Sequence, residues 1–295
     1  MKDSDQLNYS KIYFWMFVAM VSWATAWSSA KVIGQYVSFY NLVFLRFFFG
    51  FVSLLPFVLL RKKTIPKIGD LKYIFIPSIL FFVYNIFFFK GTYYGLAGEG
   101  GVLVTTLNPL ITIILMSLIR KKISVNDIFG VCLGLIGGFI IMDLWNKGIV
   151  SIIHSNNLYF IFCSIAWGVM TIFFNYSMNR IDPYVFIFLC YFFTAIISWP
   201  FTDLGDLDFK RLDLKFYLNF FLVSIGAMSF GTSVYIYVTP LLGPSKVSVF
   251  IFCVPFIAMS TAYVFLNEPF SFNVGIGGLL SLVAIYIVNK NKSSD

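Results

Sequence analysis

The chain alternates long apolar runs with short polar breaks over its whole length, and the runs fall near 12–33, 39–60, 71–93, 100–119, 127–143, 157–178, 183–202, 215–239, 246–266 and 272–289. A bilayer core about 30 Å thick is crossed by about 20 apolar residues in a helix. The pattern therefore predicts an all-α integral membrane protein of ten transmembrane helices, with no room between them for a soluble domain. Composition agrees: of 295 residues 59% are hydrophobic, 20% aromatic and only 12% charged, against roughly 25% charged in soluble domains, and the mean hydropathy is +0.87. The first run has no small-residue cleavage site, so it is read as a retained helix and not as a signal peptide.

The chain also repeats itself. Gly100 to Met142 holds two apolar spans, a polar turn and a glycine-rich second span, and the same order recurs from Lys246. Pro109 matches Pro255, Ser124 matches Ser271 and Gly130 matches Gly277, at offsets of 146, 147 and 147, while Trp23 matches Trp167 and Tyr40 matches Tyr184 at 144. Each copy holds five spans, residues 12–143 and 157–289. An odd number of crossings makes the second copy enter the membrane from the opposite side, so the two repeats are expected to be inverted about an axis in the membrane plane. Secondary transporters use this construction, with the substrate site near the midplane between the repeats.

Charge fixes the expected orientation. With the amino terminus on the cytoplasmic side, Lys2, Lys11, Arg61, Lys62, Lys63, Lys67, Lys72, Arg120, Lys121, Lys122, Arg180, Lys246, Lys290 and Lys292 lie inside, against Lys90, Lys147, Lys210, Arg211 and Lys215 outside. The positive-inside rule then places both termini in the cytoplasm of a cell whose inner membrane holds the chain. Although the net charge is +8, the cations are sorted by loop, which speaks for the lipid bilayer as partner and against nucleic acid. The cysteines Cys132, Cys163, Cys190 and Cys253 sit singly within spans and read as small buried hydrophobes, with neither a disulfide nor a metal site.

Candidate chemistry comes from polar and aromatic groups at mid-membrane depth. Pro109 and Pro255 each lie about ten residues into a span, where proline removes a backbone hydrogen bond and frees the carbonyls of Thr105 and Ile251. Backbone freed at that depth needs protein or a watery cavity around it; a packing kink and a gating cavity both remain open readings. Trp23 and Trp167 lie midway along their spans, although tryptophan normally gathers at the interfaces. With Trp27, Tyr84, Asn85, Thr105, Asn108, Thr171, Ser229, Thr232 and Phe252 they would line an aromatic substrate cavity carrying a few amides and hydroxyls; interhelical hydrogen bonding is the alternative role for each. Lys31 is near enough to its helix end to snorkel. Arg46 lies deeper and must face protein or water, as structural anchor or outer gate, with Glu99 the nearest candidate partner.

All thirteen acidic residues fall in loops or at span ends, which gives no carboxylate relay for a proton pump and favours facilitation or exchange. Catalysis is poorly supplied: the only histidine, His154, stands in the connecting segment without a partner, and no cofactor or metal pattern appears. The acidic loop Asp203, Asp206, Asp208 and Asp213 lacks calcium-loop spacing. The spacing of Gly130, Gly134 and Gly138 predicts close helix packing, within the chain or to a second copy; one copy suffices for the mechanism.

The sequence resembles the EamA-type exporters of the drug/metabolite transporter superfamily. The resemblance rests on W-A-T-A-W-S-S-A-K from Trp23, the second span bearing Arg46, L-N-P-L around Pro109, I-S-V-N-D-I-F-G after the polar turn, V-P-F around Pro255 and L-N-E-P around Glu268. It implies metabolite or drug export across a bacterial cytoplasmic membrane through a central cavity, with helices three, four, eight and nine as gates. The first repeat departs from the family by carrying R-K-K where an acidic residue is common; Glu268 keeps that acid in the second. The expected function is transport of a small amphipathic solute such as an amino acid. Uptake or exchange of a bulkier cationic or nucleoside-like solute such as S-adenosylmethionine is the second reading, and a membrane-embedded enzyme or accessory subunit the third.

Overall fold

The computed structural model describes residues 9–60, 66–120, 125–153, 155–178, 180–270 and 272–290. Ser124, Ser271, His154, Lys2, Arg61, Lys62, Lys63, Lys121, Lys122 and Lys292, discussed above, lie outside the described residues. Ten long helices, and no strand among the described residues, make up the chain: α1 Tyr9–Ile33, α2 Phe39–Leu59, α3 Lys72–Tyr94, α4 Ala97–Arg120, α5 Val125–Ile141, α6 Ser155–Met178, α7 Pro183–Ser198, α8 Leu214–Leu242, α9 Lys246–Leu266 and α10 Phe272–Lys290. Eight are long and apolar enough to cross a membrane alone; α5 is shorter, with an apolar core of Ile128–Ile140, and it packs along α10. Of the ten expected crossings, eight correspond to helices that meet the length and composition of a span by themselves.

Polar breaks in the sequence supply the caps that end these helices. Asp182 accepts from the N–H groups of Tyr184 and Val185 at 2.9 and 3.3 Å, with Pro183 opening α7 behind it. Asp213 accepts from the Phe216 N–H at 2.8 Å and starts α8. These are the side chains that satisfy free N–H groups at helix starts. Gly243 at φ 86° turns α8 into α9 ahead of Pro244, a backbone conformation that glycine adopts without steric cost.

Two helices depart from α geometry, and both belong to the second half. In α8, Leu222–Thr232 forms a π-helix, and in α9, Phe250–Cys253 forms a 3-10 turn directly before Pro255. Pro109 lies inside α4, which stays α-helical through it. The matched prolines therefore have different local outcomes: only the second coincides with a change of helix type.

Packing follows one scheme. Helix α3 lies along α6, α1 along α8, α4 on α6, α1 on α9, α3 on α7 and α2 on α8, while α2–α7, α4–α9 and α5–α10 also pair. Exchanging the halves, α1 for α6 and so on, turns each of the first six pairings into another of them and leaves α2–α7, α4–α9 and α5–α10 unchanged. Small residues permit the close crossings: a Cβ added to Gly101 of α4 would lie 2.6 Å from the Ala258 Cβ of α9, and one on Gly134 of α5 would lie 2.4 Å from the Phe252 ring. Close approach through glycine is how apolar helices gain packing energy where lipid removes the hydrophobic drive. Of the four cysteines, Cys163, Cys190 and Cys253 are buried, whereas Cys132 is exposed on α5, against the expectation that all four are interior.

Candidate functional site

Trp23 and Trp167, the pair equivalent in the sequence repeat, meet edge to face with ring centroids 4.9 Å apart and planes at 86°. This contact lies in the wall of a cavity between the halves. The cavity is lined by Trp23, Ala26 and Trp27 of α1, Arg46 of α2, Phe81, Tyr84, Asn85 and Phe88 of α3, Val104, Thr105 and Asn108 of α4, Trp167 of α6, Ala227, Met228 and Thr232 of α8, and Ile251 and Val254 of α9. Eight of the eleven substrate-site residues chosen from the sequence converge there, together with Arg46: Trp23, Trp27, Tyr84, Asn85, Thr105, Asn108, Trp167 and Thr232. Its volume is about 40 Å³, room for about three waters at most, so a metabolite can occupy it only if the surrounding helices move.

Three chosen residues lie elsewhere. Thr171 is buried behind the Trp167 backbone, bonding its carbonyl at 3.0 Å and facing the Tyr235 hydroxyl at 3.5 Å. Ser229 bonds Ser53 at 2.7 Å and lines a separate groove of about 820 Å³ between α1, α2 and α8. Phe252 packs with Val249 and Ala284, away from the cavity; its neighbours Ile251 and Val254 take the lining positions. In a 3-10 turn residues three apart eclipse one another, so Ile251 and Val254 share a face and Phe252 is carried off it.

Most polar groups of the cavity are satisfied by the chain. The Trp23 indole N–H donates to the Ala227 carbonyl at 2.9 Å, Thr232 to the same carbonyl at 3.3 Å, and Thr105 to the Gly101 carbonyl. Arg46 donates through Nε to the Val223 carbonyl at 3.1 Å and through Nη1 to Asn85 Oδ1, and its guanidinium lies over the Phe88 ring at 4.9 Å. Both α8 carbonyls belong to the π-helix, a form often found at functional sites, and a third, Met228, accepts from the Tyr191 hydroxyl at 2.9 Å. The Asn108 Oδ1 is a buried polar atom of the lining with no hydrogen-bond partner, and the Trp167 Nε1 makes no hydrogen bond of normal geometry, its ring lying against that of Tyr235 at 5.8 Å.

The charged pairs expected at the outer end are rearranged. Glu99 pairs with Lys147 at 2.9 Å and not with Arg46, which has no carboxylate partner among the described residues. The central ion pair there is Lys31–Glu268 at 2.8 Å. Lys31 also donates to the Gly95 carbonyl at 2.9 Å, and the Glu268 carboxylate accepts the Ala97 and Gly98 N–H groups at 3.0 and 2.9 Å. A carboxylate on the first N–H groups of α4 matches the positive end of the helix dipole. Glu268 thus ties α1, the start of α4 and the turn after α9 into one cluster.

Comparison with known proteins bears on this architecture. The model of the EamA-like transporter family matches twice, over residues 10–143 and 154–290. An uncharacterized transporter of Archaeoglobus fulgidus is 22% identical over 282 residues, covering 94% of this chain and 99% of its own length. The uncharacterized transporter YoaV of Bacillus subtilis is 22% identical over 296 residues, covering 94% and 96%. A solved structure, titled only as the crystal structure of a protein, superposes with a TM-score of 0.75 at 17% identity over 97% of this chain and 99% of that one, which shows a shared fold. With a family match in each half and apolar helices throughout, the chain is a multi-pass membrane transporter that belongs to the EamA-like family of the drug/metabolite transporter superfamily.

Proposed function

We propose that the chain is a secondary transporter that carries a small amphipathic metabolite, of the amino-acid kind, across the cytoplasmic membrane by alternating access, with export as its direction and both termini in the cytoplasm. The two five-helix repeats, 12–143 and 157–289, act as inverted partners, and the cavity around Trp23 and Trp167 is the substrate site. One observation carries this reading: the cavity walls come from both halves and hold a buried polar atom, Asn108 Oδ1, that has no hydrogen-bond partner. A buried polar atom without a partner costs about 1–3 kcal/mol, a cost that a bound solute can remove. Among the described lining residues there is no carboxylate, cysteine or histidine, so the cavity offers binding groups and no nucleophile–base pair.

Closure at the expected outer end supports the same reading. There α4 lies against α9 through Gly98 and Gly101, with the Lys31–Glu268 cluster above them, while the wider groove lies toward the expected inner half. Uptake and counterflow of a labelled amino-acid panel in proteoliposomes tests the proposal. Asn108→Ala is expected to lower transport of the preferred solute about tenfold, since one unmade buried hydrogen bond of about 1.4 kcal/mol is a decade, and Trp23→Ala to lower it by a similar factor through loss of the aromatic wall. Parental rates for every solute in both variants would show that the cavity is not the substrate site.

A further inference from the structure

Arg46 is the one charged side chain among the described cavity residues. It is 5% exposed, and it comes from the middle of a membrane helix, where an uncompensated cation is costly and marks function. Its protein partners are all uncharged: the Val223 carbonyl, the Asn85 amide oxygen and the faces of Phe88 and Phe89 at 4.9 and 5.7 Å. Two of its nitrogens are used, which leaves Nη2 without an acceptor among the described residues, in a group built to bind a carboxylate through two parallel N–H donors. Asn85 and Val223 fix the fork without neutralising it, as a positioning shell does for a binding group. Across the same cavity the Asn108 Oδ1 is a buried acceptor with nothing to accept from.

Resting on the reading of this cavity as the substrate site, we infer that it recognises a solute bearing both a carboxylate and an amino group, the carboxylate held by Arg46 and an N–H donated to Asn108. The aromatic walls around them take the apolar side chain. A solute of net positive charge, the second reading from the sequence, would place its charge beside an uncompensated guanidinium and is selected against. Phe81, Tyr84 and Trp27 set the width available to the side chain and so favour flat or branched apolar groups over charged ones.

The test uses the full chain in proteoliposomes and three matched series, built on benzyl, indolylmethyl and isobutyl side chains. Each series contains the amino acid, its carboxamide and the acid lacking the amino group, with binding read by quenching of the cavity tryptophans and transport by counterflow. In the parent the amino acid should exceed its carboxamide by about ten- to a hundredfold, the range for a charge-assisted hydrogen bond. Arg46→Gln should bring that ratio to about two while the carboxamide still binds, Arg46→Lys should retain part of it, and Asn108→Ala should weaken the amino acid but not the deaminated acid. A parent that binds and moves acid and carboxamide alike overturns the Arg46 assignment and leaves the transport reading standing. A parent that neither binds nor moves any member of any series overturns both. Retention of the full acid preference in Arg46→Gln also overturns the inference, and if neither Arg46 variant folds, the parental ratio alone decides it.

Discussion

Trp23 reaches Trp167 across the interface of the halves because each sits at the same depth of the first helix of its repeat, and this much could be read from the sequence. An indole far from the interfacial belts has to be accounted for by a partner, and the structure supplies one for Trp23 in the Ala227 carbonyl, while Trp167 packs against the Tyr235 ring. Phe252 was not legible in the same way. On a helix apolar all round, the pattern gives depth but not rotation, and four residues of 3-10 geometry at about 120° per residue, against about 100° in an α-helix, turn the face further. The consequence is testable with one substitution. Phe252→Ala should lower stability by about 3–5 kcal/mol, through the void left between Gly134, Val249 and Ala284, yet leave the quenching titration of the cavity tryptophans unchanged. A weakened titration would return Phe252 to the binding site.

Hydropathy located the ten helices to within a few residues of their observed ends, because length and apolarity are what a span requires. It could not show that α8 is a π-helix over Leu222–Thr232. Nothing in an apolar sequence distinguishes a ladder of i→i+5 bonds from i→i+4, and the π-helix coincides with tertiary contacts: Arg46, Trp23 and Tyr191, from three other helices, take the carbonyls of Val223, Ala227 and Met228. Where α8 passes α1, Gly231 leaves room for the indole; a Cβ there would lie 2.8 Å from both Trp23 Cδ1 and Nε1. Gly231→Ala should therefore push Trp23 off the Ala227 carbonyl, cost about 1–3 kcal/mol by overpacking, and change the tryptophan emission of the unliganded protein. Emission and stability both at parental values would mean that the ring moves aside freely and that the π-helix does not depend on it.

At the scale of the whole molecule, the sequence showed that charges gather at the helix ends but not which ones pair, since Lys31, Glu99, Lys147 and Glu268 come from four separate segments. On the proposed alternating-access reading, with this end outermost, release of substrate requires α4 to part from α9 and the Glu268 carboxylate to release both the Lys31 ammonium and the Ala97 and Gly98 N–H groups. Lys31 is 22% and Glu268 7% exposed in this pair, so the interaction is only partly screened by water and is worth about 1–2 kcal/mol, roughly a tenfold shift between closed and open populations. A cysteine in place of Val104, a buried cavity residue, reports that shift when an impermeant thiol reagent is added from outside, with the Val104-intact parent giving the background from the native cysteines. Glu268→Gln keeps an acceptor for one backbone N–H but drops the ion pair, and should raise the labelling rate about tenfold. Glu268→Ala, which removes every contact of the carboxylate, should raise it further, and substrate should slow it in all three proteins by filling the cavity. Labelling that stays at the parental rate in both variants would mean that α4 and α9 are held together by their glycine and alanine contacts alone; labelling that rises only when the reagent is applied from the cytoplasmic side would invert the orientation assigned from the charge pattern.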